Sequence, residues 1–251
     1  RFIRIQPSFS VHELIAEELA AFKSRHPVQY SQFLSAIHAH FDDIEINESL
    51  FLENVAHVHA DRKDRPMARM GEGFKRLFVM LAYVYHPEYD IILIDEPETH
   101  LHPSVVKQLV KILENSEHAN QIFLTTHSTI FARPENIGHL WRVTRDEHRN
   151  TKVYYLAHGA EEFSRERLVQ ELNADNTEMF FADKVLLVEG VSDRILLRGL
   201  IDRFYRGKHD IKVIYTSGKG NIDVYAGLLQ AFHIPYTILL DQDAVTGTWS
   251  E

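Results

Sequence analysis

Hydrophobic residues in the first part of the chain recur three and four positions apart, which is the spacing of an amphipathic helix. Residues 11–41 carry this spacing, interrupted near Pro27, and strand-like runs follow at residues 44–46 and 55–58. The charged segment DRKDRP then predicts a turn. The glycines and apolar residues of MGEGFKRLFVMLAYVYHP predict a helix that ends before Pro87.

Shorter apolar runs in the middle of the chain predict strands. One occupies residues 91–94, a helix follows at residues 103–113, and the segment QIFLTTHS predicts a second strand. The segment HLWRVTRDEHRNTKVYYL has two apolar runs around a polar centre, and this pattern predicts a hairpin.

After a charged connector, the chain alternates regularly between strand and helix patterns. Strands are predicted at residues 185–188, 213–215 and 237–240, with a helix in each interval. Strands that alternate with helices of this length are typical of βαβ units on a parallel sheet.

This change of pattern, near residues 175–182, predicts a domain boundary. We therefore expect an α/β protein with a first domain at residues 1–178 and a second at residues 179–251. The helical segment near residues 11–41 is expected to be an insertion in the first domain.

Composition narrows the classes of protein that fit. The 251 residues are 45% hydrophobic and include no cysteine, so disulfides and thiolate metal sites are excluded. No apolar run approaches the ~20 residues of a membrane span, and we expect a cytoplasmic protein without a membrane partner. The net charge of −9 argues against a general polyanion-binding surface, and the 16 histidines show no zinc spacing.

The segment IILIDEPETHLHP places two carboxylates where a buried strand ends. Such a pair suits nucleotide hydrolysis, with Asp95 holding Mg²⁺ through water and Glu96 polarising the attacking water. The alternative is a carboxylate pair that caps a helix. His127 ends the next strand, 31 positions after Glu96, and Gly71 and Gly73 begin the helix upstream. The order and spacing of these features favour hydrolysis.

A second group of carboxylates lies in the βαβαβ region. Glu189 ends its first strand and Asp193 begins the following helix, while Asp241 and Asp243 follow its third strand. Acidic side chains at neighbouring strand ends repel one another unless a cation lies among them, and such oxygen ligands suit Mg²⁺ or Mn²⁺. Capping and turn formation are the alternative for each residue taken alone.

The first group of motifs resembles ABC-type ATPases of the RecF and SMC-like kind. IILIDEPETHLHP is similar to their Walker B and D-loop region, TTHS to their switch-histidine loop, and MGEGFKRL to their signature motif. The resemblance implies ATP as the nucleotide, Asp95 as the Mg²⁺ ligand, Glu96 as the catalytic base and His127 as the γ-phosphate sensor. Gly71 and Gly73 would cap a nucleotide held by a second subunit, which implies a homodimer or higher homo-oligomer through this domain.

A phosphate loop of the form G-x-x-x-x-G-K-[ST] does not occur in the chain. Its Gly-Lys pairs, Gly207-Lys208 and Gly218-Lys219, lack both the earlier glycine and the following Ser or Thr. We expect the loop to precede Arg1 in a longer protein, and the alternative is a degenerate ATPase lobe.

The second group resembles a Toprim domain, and FFADKVLLVEGVSDRILL is similar to the OLD (overcoming lysogenization defect) family of nucleases, Gabija-type defence nucleases included. The resemblance implies a metal site formed by Glu189, Asp193, Asp241 and Asp243, with Glu189 and Asp241 catalytic. Family members carry further acidic and lysine residues after the DxD motif. We therefore expect the Toprim domain to continue past Glu251.

Together these resemblances imply an α/β chain in which part of an ABC-type ATPase lobe precedes a Toprim-like domain. The expected function is a nucleotide-regulated, Mg²⁺- or Mn²⁺-dependent DNA endonuclease in phage defence or DNA repair. DNA is the expected partner, and a separate defence protein is a further candidate partner. Two alternatives stay open. One is a non-catalytic ATP-sensing or DNA-clamping protein, and the other is a topoisomerase- or primase-like Toprim enzyme.

Overall fold

The computed structural model describes two compact units, Arg1–Ser128 and Thr129–Glu251. The residues that it describes are 1–7, 16–39, 41, 44–47, 57–60, 63–66, 69–114, 120–156, 171–172 and 176–240. The domain boundary expected near residues 178 and 179 stays a prediction.

The first unit contains six strands and four α-helices within the described ranges. The strands are β1 (Phe2–Ile5), β2 (Ile44–Asn47), β3 (His57–Ala60), β4 (Lys63–Pro66), β5 (Ile91–Asp95) and β6 (Gln121–Thr125). The helices are α1 (Ala16–Arg25), α2 (Pro27–His38), α3 (Glu72–Val84) and α4 (Pro103–Glu114). The helical segment predicted at residues 11–41 contains α1 and α2, and Pro27 opens α2, where its missing N–H costs no hydrogen bond.

A parallel sheet in the order β1-β5-β6 positions the carboxylate pair. The strand predicted at residues 91–94 is confirmed and extends by one residue to Asp95. Because β5 is the central strand, Asp95 lies at the middle of the sheet's carboxyl edge, where functional groups of parallel sheets collect.

Helix α3 forms the centre of the first core. Ten of its residues are buried, among them Phe74, Leu77 and Phe78, and they pack with Phe22 of α1 and Phe33 of α2. A helix buried on most of its circumference is fixed by its neighbours on several sides. The start of α3 is therefore held firmly beside the carboxyl end of β5.

One predicted turn is wrong in part. The segment DRKDRP was interpreted as a turn, but Lys63–Pro66 form β4, which pairs antiparallel with β3 in the register Ala60↔Lys63. Backbone pairing decides this structure, and charged residues and proline are common on edge strands because they discourage further pairing.

The second unit contains a parallel sheet and a separate hairpin. Its strands are β7 (Trp141–Arg145), β8 (Thr151–Tyr155), β9 (Lys184–Val188), β10 (Ile211–Tyr215) and β11 (Tyr236–Leu239), and its α-helices are α5 (Val191–Phe204) and α6 (Ile222–Ala231). Short 3-10 helices occupy Thr129–Phe131, Pro134–His139, Thr177–Phe181 and Lys219–Asn221. The sheet order is β10-β9-β11, which confirms the predicted βαβαβ pattern, and β7 pairs with β8 as the predicted hairpin.

The core of this unit lies beneath its parallel sheet. Val185 and Leu187 of β9 pack with Tyr225, Leu228 and other apolar residues of α6. Because β9 is the central strand, Glu189, which directly follows it, lies at the middle of the sheet's carboxyl edge. No helix within the described residues is both long enough and apolar enough to cross a membrane.

Candidate functional site

The carboxylate pair Asp95-Glu96 lies at the carboxyl end of β5. Glu96 has a positive φ of 47°, a conformation that costs a residue other than glycine about 1–3 kcal/mol and is concentrated at functional sites. Its N–H donates to the Thr125 carbonyl at 2.9 Å, so the sharp turn stays attached to the end of β6. The surrounding structure thus holds Glu96 in a conformation that it would not adopt by itself.

Arg4 of β1 forms an ion pair with Asp95. Its Nε and one terminal nitrogen both donate to Asp95 Oδ2, at 2.9 and 2.6 Å, while the Thr125 hydroxyl donates to Oδ1 at 3.3 Å. A cation bound directly to Oδ2 would have to displace the guanidinium. The arrangement fits a Mg²⁺ held through water at Oδ1, because Mg²⁺ usually keeps several of its waters.

His127 lies close to Glu96. Its Nε2 is 3.7 Å from Glu96 Oε1, and the Thr99 hydroxyl donates to Glu96 Oε2 at 3.4 Å. The side chain of His127 is 85% exposed, which leaves it accessible to a ligand. The structure thus brings together Asp95, Glu96 and His127, and a carboxylate beside an imidazole can orient water and contact a phosphate.

Glu98 connects the turn after β5 to the loop that carries His127. Its Oε1 accepts hydrogen bonds from the Thr126 hydroxyl at 2.7 Å and from the His127 N–H at 2.9 Å. Its Oε2 is buried and has no hydrogen-bond partner among the described residues.

Arg76 of α3 lies beneath the same turn and is 5% exposed. Its guanidinium donates to the carbonyls of Asp95, at 2.5 Å, of Glu96, at 3.3 Å, and of Gln6. Burial lowers the pKa of Arg76, whereas the neighbouring carboxylates raise it. A buried cation with several acceptors fixes the backbone that carries Asp95 and Glu96.

The two glycines of the predicted signature motif differ in their surroundings. A Cβ on Gly73 would lie 2.7 Å from the His100 carbonyl oxygen, whereas a Cβ on Gly71 would meet nothing within 4 Å. Close packing of α3 on the turn after β5 therefore explains Gly73. Nucleotide capping by Gly71 and Gly73 stays a prediction.

The second group of carboxylates begins at the carboxyl end of β9. Glu189 Oε2 is buried without a hydrogen-bond partner among the described residues, and a Cβ on Gly190 would lie 3.1 Å from Asp193 Oδ2. The Asp193 carboxylate thus lies over the backbone next to Glu189. A buried carboxylate oxygen without a partner is costly unless a cation or a proton satisfies it, so these residues fit a divalent metal.

Asp241 and Asp243 lie outside the described residues. Within the ranges that the structure describes, no group of three or more His, Asp or Glu side chains could hold a metal ion. The four-carboxylate metal site therefore stays a prediction, with Glu189 and Asp193 as its described half.

Four supporting residues were missed in the sequence. All four lie in or contact the turn after β5 or the loop that carries His127, and they are Arg4, Arg76, Glu98 and Thr126. Glu98 and Thr126 stand inside the quoted motifs, as the last glutamate of DEPE and the second threonine of TTHS. Their proximity to predicted catalytic residues was the available signal. Arg4 and Arg76 carry no comparable signal, because their contacts join distant parts of the chain.

Two family models match the chain. Residues 4–133 match the family described as AAA domain, putative AbiEii toxin, type IV TA system. Residues 180–243 match the Toprim domain of overcoming lysogenization defect protein-like proteins. These matches confirm the predicted α/β class with an ATPase domain followed by a Toprim domain.

Curated relatives of the chain include three nucleases. An OLD nuclease of Thermus scotoductus is 28% identical over 161 residues, which cover 61% of this chain and 30% of the relative. The Old nuclease of Escherichia phage P2 is 25% identical over 231 residues, which cover 83% of this chain and 39% of the relative. The endonuclease GajA of Bacillus cereus strain HuB5-5 is 23% identical over 218 residues, which cover 71% of this chain and 31% of the relative. The chain thus spans less than two-fifths of the length of each relative, and the predicted relationship to OLD and Gabija-type nucleases is confirmed.

Proposed function

The chain belongs to the AAA-domain family described above and carries an OLD-like Toprim domain, and we propose that it acts in a nucleotide-regulated, divalent-metal-dependent DNA endonuclease of the OLD type. ATP is the proposed nucleotide, and Mg²⁺ or Mn²⁺ the proposed metal. Phage defence or DNA repair is the proposed setting. DNA is the proposed partner, and a separate defence protein is a further candidate partner.

The buried, unpartnered Oε2 of Glu189 carries the metal-dependent part of this proposal. Glu189 and Asp193 would hold the metal from one side, and Asp241 and Asp243 would complete its ligands. A divalent metal bound there supplies activation of water and stabilisation of charge on a phosphate. The burial of this oxygen limits the water around it, which strengthens its interaction with a cation.

The nucleotide-dependent part rests on the turn after β5. Glu96, beside His127, would accept a proton from the attacking water, and His127 would contact the γ-phosphate. Asp95 would orient Mg²⁺ through water. Gly71 and Gly73 at the start of α3 would face a nucleotide held by a second copy, so ATP would favour a homodimer or a higher homo-oligomer.

The test is nicking of supercoiled plasmid by the complete gene product with Mg²⁺ or Mn²⁺, with and without ATP. Glu189→Gln and Asp241→Ala should each lower the cutting rate at least about 10²-fold, because a metal supplies several kcal/mol of transition-state stabilisation. Glu96→Gln should abolish ATP hydrolysis, and the response of cutting to ATP should change with it.

The matched control is Asp202→Asn, which removes an exposed carboxylate from α5, the helix that also carries Asp193. It should cut at the wild-type rate. If the folded wild-type protein cuts none of several DNA forms with either metal, the nuclease proposal is wrong.

One observation favours a second candidate, a non-catalytic ATP-sensing or DNA-clamping protein. Arg4 already supplies a positive charge to Asp95 Oδ2, so this carboxylate is neutralised without a metal. In this case Arg4→Ala should leave nucleotide hydrolysis at background, as in the wild type. In the enzyme, the same substitution should change the Mg²⁺ concentration that hydrolysis requires.

A further inference from the structure

The position of His127 depends on its backbone more than on its side chain. The imidazole is 85% exposed, and its contact with Glu96 is 3.7 Å long. Exposed side chains held by one long contact are poorly fixed, because ordering them costs conformational entropy. The loop backbone at residues 126–128 must therefore supply most of the precision with which His127 faces a phosphate.

Glu98 is the side chain that holds this loop backbone. Its Oε1 accepts from the His127 N–H and from the Thr126 hydroxyl, at 2.9 and 2.7 Å. The Thr126 oxygen in turn accepts from the Ser128 N–H at 2.9 Å. One carboxylate oxygen thus fixes the backbone of His127 directly and that of its neighbour Ser128 through one hydroxyl.

Glu98 itself is poorly placed to act on a substrate. Its Oε1 is occupied by two donors, and its Oε2 is buried. Glu96, two positions earlier, has a 43% exposed side chain and faces His127. The two glutamates of the DEPE motif therefore differ in role, one being accessible to a reacting molecule and the other being turned into the protein.

We propose that Glu98 is a positioning residue that sets the place of His127 relative to Glu96 by anchoring the loop backbone. This inference rests on the proposed function for its effect on ATP hydrolysis, but the anchoring itself is a property of the chain without nucleotide. What matters is the reach of the side chain to two donors. Its negative charge is secondary.

Three variants separate reach from charge. Glu98→Gln keeps the length and an acceptor oxygen while removing the charge. Glu98→Asp keeps the charge but is one methylene too short to reach both donors. Glu98→Ala removes both. Exchange of the His127 amide for deuterium, followed by mass spectrometry without nucleotide, measures the anchoring, and kcat and KM for ATP in the complete gene product measure its consequence.

We expect exchange in the segment around His127 to accelerate about 10- to 10²-fold in Glu98→Ala and Glu98→Asp, and to change less than about threefold in Glu98→Gln. In the same two variants kcat for ATP should fall about 10²-fold with KM nearly unchanged, because a displacement of about 1 Å has effects of this size. His127→Ala combined with Glu98→Ala should be no worse than His127→Ala alone, since both act through one group. Exchange in α3 is the control for folding, and it should stay at the wild-type rate in each variant.

Other results overturn the proposal. If Glu98→Asp behaves as the wild type while Glu98→Gln loses activity, charge and not reach is the property that matters. If exchange at His127 is unchanged in Glu98→Ala, Glu98 does not anchor the loop. An inactive wild-type protein with the expected exchange pattern would contradict the proposed ATP hydrolysis and leave the anchoring confirmed.

Discussion

Replacing Arg76 by methionine tests how the turn after β5 is supported. Methionine keeps most of the side-chain volume but removes the donors to the carbonyls of Asp95, Glu96 and Gln6. Hydrogen bonds made by a charged group contribute about 1.5–3 kcal/mol each, and the relief of burying a cation offsets part of their loss. Since three such hydrogen bonds are lost, we expect the first unit to be destabilised by about 3–5 kcal/mol.

Hydrogen–deuterium exchange at the amides of α3 and β5 is the appropriate assay, because it reports on the first unit separately from the second. Since each 1.4 kcal/mol corresponds to a factor of ten, exchange through opening should accelerate at least about 10²-fold in Arg76→Met. Lys107→Met is the matched control, because Lys107 is exposed on α4, and substitutions at such sites usually change stability by less than about 0.5 kcal/mol.

An acceleration of less than about fivefold in Arg76→Met would refute this reasoning. It would mean that the three carbonyls find other partners at little cost, and that the arginine does not support the turn. Equal acceleration in the Lys107→Met control would refute it as well, because the effect would then belong to any loss of positive charge.

Two further predictions concern packing and pH. Gly73→Ala should destabilise the first unit by about 1–3 kcal/mol, because its Cβ would meet the His100 carbonyl at 2.7 Å. Gly71→Ala should have little effect, because its Cβ would meet nothing within 4 Å. Thermal unfolding of both variants measures the difference in stability. Burial and the hydrogen bond to Glu171 raise the pKa of Tyr225, so the unfolded chain loses this proton first and stability should fall above about pH 10. Tyr225→Phe should lack this part of the decline in melting temperature between pH 9 and 11, and an unchanged decline would contradict the assignment.

The strands and helices that position both sites were predictable from local patterns. The apolar run before Asp95 and the run before Glu189 each produce a central strand of a parallel sheet, and carboxylates placed after such strands must lie at the sheet edge. The approach of His127 to Glu96 also followed from sequence order, because neighbouring parallel strands end side by side.

The supporting contacts were not predictable in the same way. Arg4 reaches Asp95 across 91 positions of sequence, and Arg76 reaches Gln6 across 70. Such pairs depend on which strands become neighbours and on the depth at which a helix packs. The hydrophobic periodicity of the sequence gives information on neither. The strand β4 was missed for a related reason, since its charged residues lack the apolar alternation that identifies a strand, and only pairing with β3 reveals it.

The close approach of Gly73 to His100 has a mechanical consequence. Together with the hydrogen bonds from Arg76, it attaches the first turns of α3 to the turn after β5 at two separate points, one through backbone packing and one through a buried side chain. A displacement of the exposed Gly71 end of the helix should therefore also displace the backbone of Glu96. We expect a molecule that contacts the start of this helix to change the position of Glu96.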